Sequence, residues 1–316
     1  MNRIAITGAS GFIGRYFTQY LVERDFDVVP LSRSVPIEFA PDRFTLQVDY
    51  SNISELVQVF CSCDVVVHLA AIAHQYPSRS SPIGIDTYRK ANIDCLMSVV
   101  RACKLANVSR LVFVSSIGVN GSSTFGRAFT ESDEPSPKDF YSITKLEAEQ
   151  ALASEVNDTQ IDWVVLRPPL VYGPFCPGNL NRLLKLTSVL PLLPFRLLRS
   201  RRTLISILNL SEALFVSCYH PGVSRRVFLI SDSVDIDVSG ILKAFLLGLG
   251  RGQWRLLPIP PSFIAPFFTI LGKKALWNKF SGELLVDSSL FRKVTGWVPL
   301  ERPTSALIVA ASSMNK

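Results

Sequence analysis

The chain has 316 residues, 48% of them hydrophobic and 19% charged, which places it among globular proteins and excludes a disordered or low-complexity one. Lys and Arg outnumber Asp and Glu by 33 to 26, and the resulting net charge of +7 favours anionic partners. No aromatic platform interleaves with the basic residues, which argues against nucleic acid, and six cysteines without a CxxC pair or a Cys/His cluster predict reduced thiols and no metal.

The first apolar run, IAIT (4–7), follows only Met1, Asn2 and Arg3, too few residues for a secretory leader, so a cytoplasmic location is expected. TGASGFIG (7–14) comes next and opens a helix to about Arg24. Gly8 permits the turn, Gly11 lets the backbone approach a pyrophosphate, and Gly14 allows helix and sheet to pack closely, with Phe12 and Ile13 at the helix start. A glycine triplet alone also fits a simple tight turn. The second strand, DVVPL (27–31), ends at Ser32 and Arg33, where an NAD site ordinarily offers an Asp to the adenosine ribose. A small hydroxyl beside a guanidinium suits a 2'-phosphate instead, so NADP(H) is the preferred cofactor and NAD(H) the alternative.

Further along come a strand DVVVHLA (64–70), a helix from about Tyr88 to Ala106, and a strand RLVFVSS (110–116). A helix around 141–154 and a strand DWVVLRP (162–168) complete the series. Near-continuous Val, Ile and Leu runs separated by helices predict an α/β fold, a doubly wound parallel sheet of the Rossmann type. After RPPLVYGP the regularity fades, with one more strand and helix at 203–219 and a strand-like RVFLIS (226–231). Residues 1–173 therefore read as an NAD(P)-binding domain and 174–316 as a smaller substrate-capping region interleaved with it. The apolar stretch 256–272 is broken by four prolines and is too short to span a membrane. A helix from about Ser262 docks on the protein or lies weakly on a bilayer surface.

FYSITKLEAEQ places Tyr141 and Lys145 one helical turn apart, so both project from one face. An ammonium there is expected to stabilise the phenolate and lower the tyrosine pKa. Upstream, FVSSIGVNG ends a central strand with Ser115 and Ser116, at the sheet edge where open parallel sheets bind ligands. His68 reads as part of a buried strand, and His74 as a loop residue able to touch substrate.

TGASGFIG, VVHLAA, SSIGVNG, YSITK, LRPPLVYGP and the late VDSSLFRKVTGW together resemble the extended short-chain dehydrogenases/reductases, in the nucleotide-sugar branch of the NAD-dependent epimerase/dehydratase family. The resemblance answers the glycine question in favour of a cofactor cradle. It implies Tyr141 as catalytic acid/base, Lys145 as its partner and a ribose ligand, and Ser116 as the hydroxyl contacting the reacting sugar oxygen. Asp49 resembles the residue that contacts adenine; Leu69, Ala70, Ala71 and Pro168 resemble residues lining the dinucleotide, and Asn92 an Asn near the active site. Asn120, Asn179 and Arg202 fall at positions for substrate, the last two gripping the diphosphate of a UDP-sugar.

Ile117 and Gly118 stand where 4,6-dehydratases carry an Asp and Glu pair, which argues against dehydration. SSIGVNG and the tail are most similar to enzymes of bacterial surface-polysaccharide (O-antigen, lipopolysaccharide) synthesis that reduce the C4 ketone of UDP-2-acetamido-2,6-dideoxy-4-hexulose to UDP-N-acetylquinovosamine. The alternatives are a UDP-sugar 4-epimerase with retained NAD, including one acting on a polyprenyl-diphosphate-linked sugar, and a dinucleotide-sensing protein without turnover. A homodimer is compatible with each.

Overall fold

The computed structural model describes residues 3–34, 38–40, 43–73 and 84–315. In chain order the first half runs β1 (Ile4–Thr7), α1 (Phe12–Val22), β2 (Val28–Ser32), β3 (Glu38–Ala40), β4 (Arg43–Phe44), β5 (Leu46–Gln47), α2 (Ile53–Phe60), β6 (Val65–His68), α3 (Ile85–Arg89), α4 (Cys95–Leu105), β7 (Arg110–Val114), α5 (Phe140–Glu155), β8 (Asp162–Arg167) and β9 (Leu170–Tyr172). A wide π-helical turn, Lys90–Asp94, joins α3 to α4, so the helix expected over 88–106 is three segments. The second half comprises α6 (Asn179–Val189), β10 (Arg201–Arg202), β11 (Leu204–Ser206), α7 (Ile207–Tyr219), β12 (Arg226–Leu229), β13 (Ile236–Asp237), α8 (Val238–Gly248), α9 (Pro261–Ile270), α10 (Lys274–Ser281), α11 (Ser289–Thr295) and α12 (Pro303–Ser312). No described helix is long and apolar enough to cross a membrane.

Seven strands form one sheet in the order β12-β8-β7-β6-β1-β2-β5, with every pairing parallel. The chain reverses direction across the sheet between β1 and β6, the kind of switch point where a doubly wound sheet opens a crevice at its carboxyl edge. Alternate residues feed two cores. Ile4, Ile6, Val65, Val67, Val112 and Val114 face α1 and α7, whereas Ala5, Val66, Leu111 and Phe113 face α2, α4 and α5. The doubly wound parallel sheet expected from the sequence is thus the observed one.

The second half divides its elements between the sheet and its own core. β12 pairs with β8, and α7 packs on α1, so residues 207–229 belong physically to the sheet layers. A third core, built on Leu183, Leu184, Leu242, Phe245 and Leu307, joins α6, α8 and α12. Phe12, at the start of α1, touches both the first and third cores and so ties the glycine turn to this second layer.

Candidate active site

The turn after β1 is shaped by contacts that leave no room for side chains. Gly8 has φ +72°, and a Cβ there would lie 2.6 Å from the backbone N of Ala70. A Cβ on Gly14 would lie 2.3 Å from the carbonyl oxygen of Gly8. Gly11 differs: its Cβ would meet only that same oxygen at 3.3 Å, and the residue is exposed. Side chains of Asn52, Asp139, Ser206 and Asp237 cap α2, α5, α7 and α8, but no side chain caps α1. Its first turn therefore presents backbone N–H groups and the positive end of the helix dipole to whatever sits over Gly11. These features fit the pyrophosphate of a dinucleotide.

Tyr50 supports this turn from below. Its hydroxyl accepts from the N–H of Gly8 at 2.8 Å and donates to the carbonyl of Leu31 at 3.0 Å, joining β1 to β2. At the end of β2, Ser32 is fully buried and its Oγ accepts from the N–H of Ser34 at 3.2 Å; Arg33 is exposed. Asp49 is exposed, with its carboxylate accepting from the Ser51 N–H and Oγ at 2.9 and 2.8 Å, bonds that hold it below the usual carboxylate range. Leu69 and Ala70 continue β6 past Gly8, with the Leu69 N–H bonded to Thr7; Ala71 follows them. His74 lies outside the described residues. His68 is fully buried beside Thr7, whose Oγ1 is 2.8 Å from its Nδ1, and burial pulls its pKa down to about 3.

Ser115 and Ser116 separate in role at the end of β7. Ser115 is buried and its hydroxyl donates to Glu149 of α5. Ser116 is half-buried, caps the short turn at Ile117–Val119 by accepting from the Gly118 N–H at 3.1 Å, and hydrogen-bonds Tyr141. Asp139 starts α5 by accepting from the Ser142 N–H at 2.8 Å, which sets the helical phase that carries Tyr141 and Lys145. Lys145 is buried; its Nζ donates to the carbonyl of Val114 at 2.9 Å and lies 5.9 Å from the Tyr141 ring centroid.

The charges here do not follow the spacing argument. Tyr141 is pushed up to about 12, first by burial and then by the nearby Asp139 carboxylate, while the Ser116 hydrogen bond pulls it back. The expectation that Lys145 lowers the tyrosine is therefore corrected: the ammonium is spent on Val114, and burial of the phenol wins. Burial also pulls Lys145 down to about 8, with Glu149 and Cys95 opposing the fall.

Sequence reasoning missed the network behind these residues. Arg167 of β8 donates to Glu149 through Nη2 at 2.6 Å and Nε at 3.0 Å, with both side chains buried. Its Nη1 donates to Oδ1 of Asn120 at 2.9 Å, and Asn120 donates in turn to the carbonyl of Thr130 at 3.0 Å. Asn120 is thus 2% exposed and engaged at both ends of its amide, unlike Ser116 and Tyr141. Asn92, in the π-helical turn, accepts from the Ile72 N–H at 2.8 Å and donates to Thr144 at 3.1 Å, so it fastens the chain after β6 to α5. Pro168 is buried and its carbonyl accepts from Ile117 at 2.9 Å, closing the Ser116 turn onto β8. Asn179 is exposed at the first position of α6, and Arg202 is half-buried in β10, its pKa lowered by burial.

Residues 4–230 match the model of the NAD dependent epimerase/dehydratase family. The chain is 30% identical over 300 residues to UDP-glucose 4-epimerase of Vibrio cholerae, covering 94% of this chain and 90% of that one. Among solved structures, UDP-glucose 4-epimerase of Thermotoga maritima with UDP-glucose superposes with a TM-score of 0.78 at 18% identity, over 99% of this chain and 98% of that one. UDP-glucuronic acid 4-epimerase of Bacillus cereus with NAD gives 0.79 at 20% identity, over 99% and 96%. These structural likenesses establish a shared fold.

Proposed function

The chain belongs to the NAD dependent epimerase/dehydratase family, and from that premise we propose that it reduces the C4 ketone of a UDP-linked deoxyhexulose with NADPH. The substrate in this reading is UDP-2-acetamido-2,6-dideoxy-4-hexulose, the product UDP-N-acetylquinovosamine, and the setting surface-polysaccharide synthesis. The observation that carries it is the end of β2, where buried Ser32 and exposed Arg33 stand in place of a carboxylate. A guanidinium attracts a 2'-phosphate, whereas a carboxylate would repel one.

The Gly8 to Gly14 turn, with Phe12 and Ile13, would hold the pyrophosphate, Arg33 the 2'-phosphate and Asp49 the adenine end. Leu69, Ala70, Ala71, Asn92 and Pro168 would flank the rest of the dinucleotide, and Asn179 and Arg202 the sugar diphosphate. When bound, the dinucleotide supplies the hydride. Tyr141 then gives its phenolic proton to the sugar O4 as negative charge develops there, and Ser116 orients that oxygen. A tyrosine held at about 12 is protonated at neutral pH, the form a reduction consumes. Lys145, still mostly an ammonium at pH 7, compensates the phenolate left behind. Asn120 acts on substrate through the strand end it braces with Arg167.

The similarity to the Vibrio cholerae enzyme favours a second reading, a UDP-sugar 4-epimerase that retains NAD. The two separate in one assay, the absorbance of reduced nicotinamide with this ketosugar, using NADPH and NADH in parallel. Stoichiometric oxidation with NADPH preferred supports the reductase, and Arg33→Ala then raises KM for NADPH about tenfold or more while sparing NADH. No oxidation, with NAD released on denaturing the protein, supports the epimerase.

A further inference from the structure

We propose that the outer face of α9 docks this protein on the anionic surface of a lipid bilayer. α9 is held on one side only. Ile264 is buried, and Phe268 packs its ring 5.4 Å from Trp277 of α10. On the opposite side Phe263, Phe267 and Ile270 follow the i, i+4, i+7 spacing of one helical face and are 73%, 60% and 83% exposed. Leu271 extends this face to Lys273 and Lys274, both exposed. A second apolar edge lies where the chain before α9 meets the loop after α6. Leu193 and Leu256 form a backbone bridge there, beside exposed Leu192 and Trp254.

Charge names the occupant. Residues 174–211 and 237–283 contain twelve Lys and Arg against two acids, Asp237 and Glu283, which pair with Arg199 and Arg201; the excess of ten exceeds the whole net charge of +7, so the rest of the chain is net acidic. A second copy carrying the same excess of positive charge in this region would be repelled, whereas an anionic headgroup layer would be drawn to it. An apolar helix face with lysines at its end, and a tryptophan whose ring has the Arg255 guanidinium 5.7 Å away, matches the requirements of interfacial binding: apolar groups enter the headgroup boundary while cations meet phosphates. Because α9 is also fastened through Ile264 and Phe268, the capping layer would be oriented against the bilayer rather than tethered loosely.

The test is flotation of the full chain with vesicles of about three parts phosphatidylcholine to one part phosphatidylglycerol, against phosphatidylcholine alone. The protein should float with the anionic vesicles, stay behind with the neutral ones, and be released by about 0.5 M salt. The variant Phe263→Ser/Phe267→Ser/Ile270→Ser should lower the bound fraction at least tenfold. Lys273→Glu/Lys274→Glu should lower it severalfold without touching the apolar face. Both alter exposed side chains, and an unchanged melting temperature verifies folding. Equal flotation with both vesicle types, no flotation, or variants that float like the wild type would overturn the proposal. So would self-association, or binding to duplex DNA, that the triple serine variant abolishes while flotation persists. No sugar nucleotide or dinucleotide is present, so the outcome is independent of the reaction proposed above.

Discussion

Replacing Glu149 with Gln removes the only carboxylate that the buried Arg167 guanidinium touches among the described residues, and leaves that cation uncompensated beside Asn120. Breaking one side of a buried ion pair costs about 3–5 kcal/mol. With a melting entropy of about 2.1 cal/mol/K for each of the 316 residues, 1 kcal/mol moves the midpoint by about 1.5 °C, so Glu149→Gln should melt roughly 5–8 °C lower. Arg167→Leu should cost a similar amount, since it strands Glu149. The double variant Glu149→Leu/Arg167→Leu should recover much of the loss, because an apolar pair fills the space without a lone charge. Circular dichroism melts of the wild type, Glu149→Leu, Arg167→Leu and the double leucine variant measure this cycle, with Glu149→Gln beside them. Losses that simply add, or a Glu149→Gln melt within 1 °C of the wild type, would refute the account of the network as one coupled unit. A second readout follows from Lys145: without Glu149 its pKa falls below about 8, so the alkaline limb of activity should move to lower pH.

Gly11→Ala should melt like the wild type yet bind the dinucleotide at least tenfold more weakly by calorimetry, since its methyl would intrude on the open cradle; Gly14→Ala, with a Cβ 2.3 Å from a backbone oxygen, should lose stability outright. Tyr141→Phe should fold normally and keep less than about a tenth of wild-type turnover, the loss expected when a general acid is deleted. For His68 the folded pKa, about 3, lies below the ordinary 6.5, so its stabilising contribution is complete above pH 6.5 and is lost as pH falls toward 3. Between pH 6.5 and 4.5 that loss amounts to about 2.3 kcal/mol. Asp232, raised to about 6, works in the opposite sense over the same window, so urea melts of wild type and His68→Gln should be compared; the variant should show the shallower fall toward acid.

Six strands of the central sheet were legible because they are short, largely buried apolar runs, and β1 falls on the apolar run 4–7 itself; β5, two exposed residues at Leu46–Gln47, was not. That Tyr141 and Lys145 share one helix and that Ser116 follows a strand was legible because helical spacing and strand ends are local rules, whereas the roles proposed for them came from the family resemblance. Of the helices after residue 174, α7 and α9 were read from the sequence, whereas α6, α8, α10, α11 and α12 were not. α8 and α12 are apolar around much of their circumference because both are packed into the third core, so they lack the polar stripe that announces a surface helix. The supporting residues were hidden for another reason, since Tyr50 meets Gly8 across 42 residues and Arg167 meets Glu149 across 18. The pKa of Tyr141 failed as an inference because spacing fixes which groups are near, whereas burial decides which charge survives.

That β12 supplies the seventh strand bears on how such proteins can be recombined. A chain cut after residue 173 would leave β8 with an open edge and strip α7 from α1, inviting strand-to-strand aggregation. A chimera meant to exchange substrate recognition while keeping the dinucleotide site must therefore retain residues 204–230 with the first half and graft only the segments on either side. On the division of roles proposed above, specificity would be transplanted as two inserts, not as one C-terminal module.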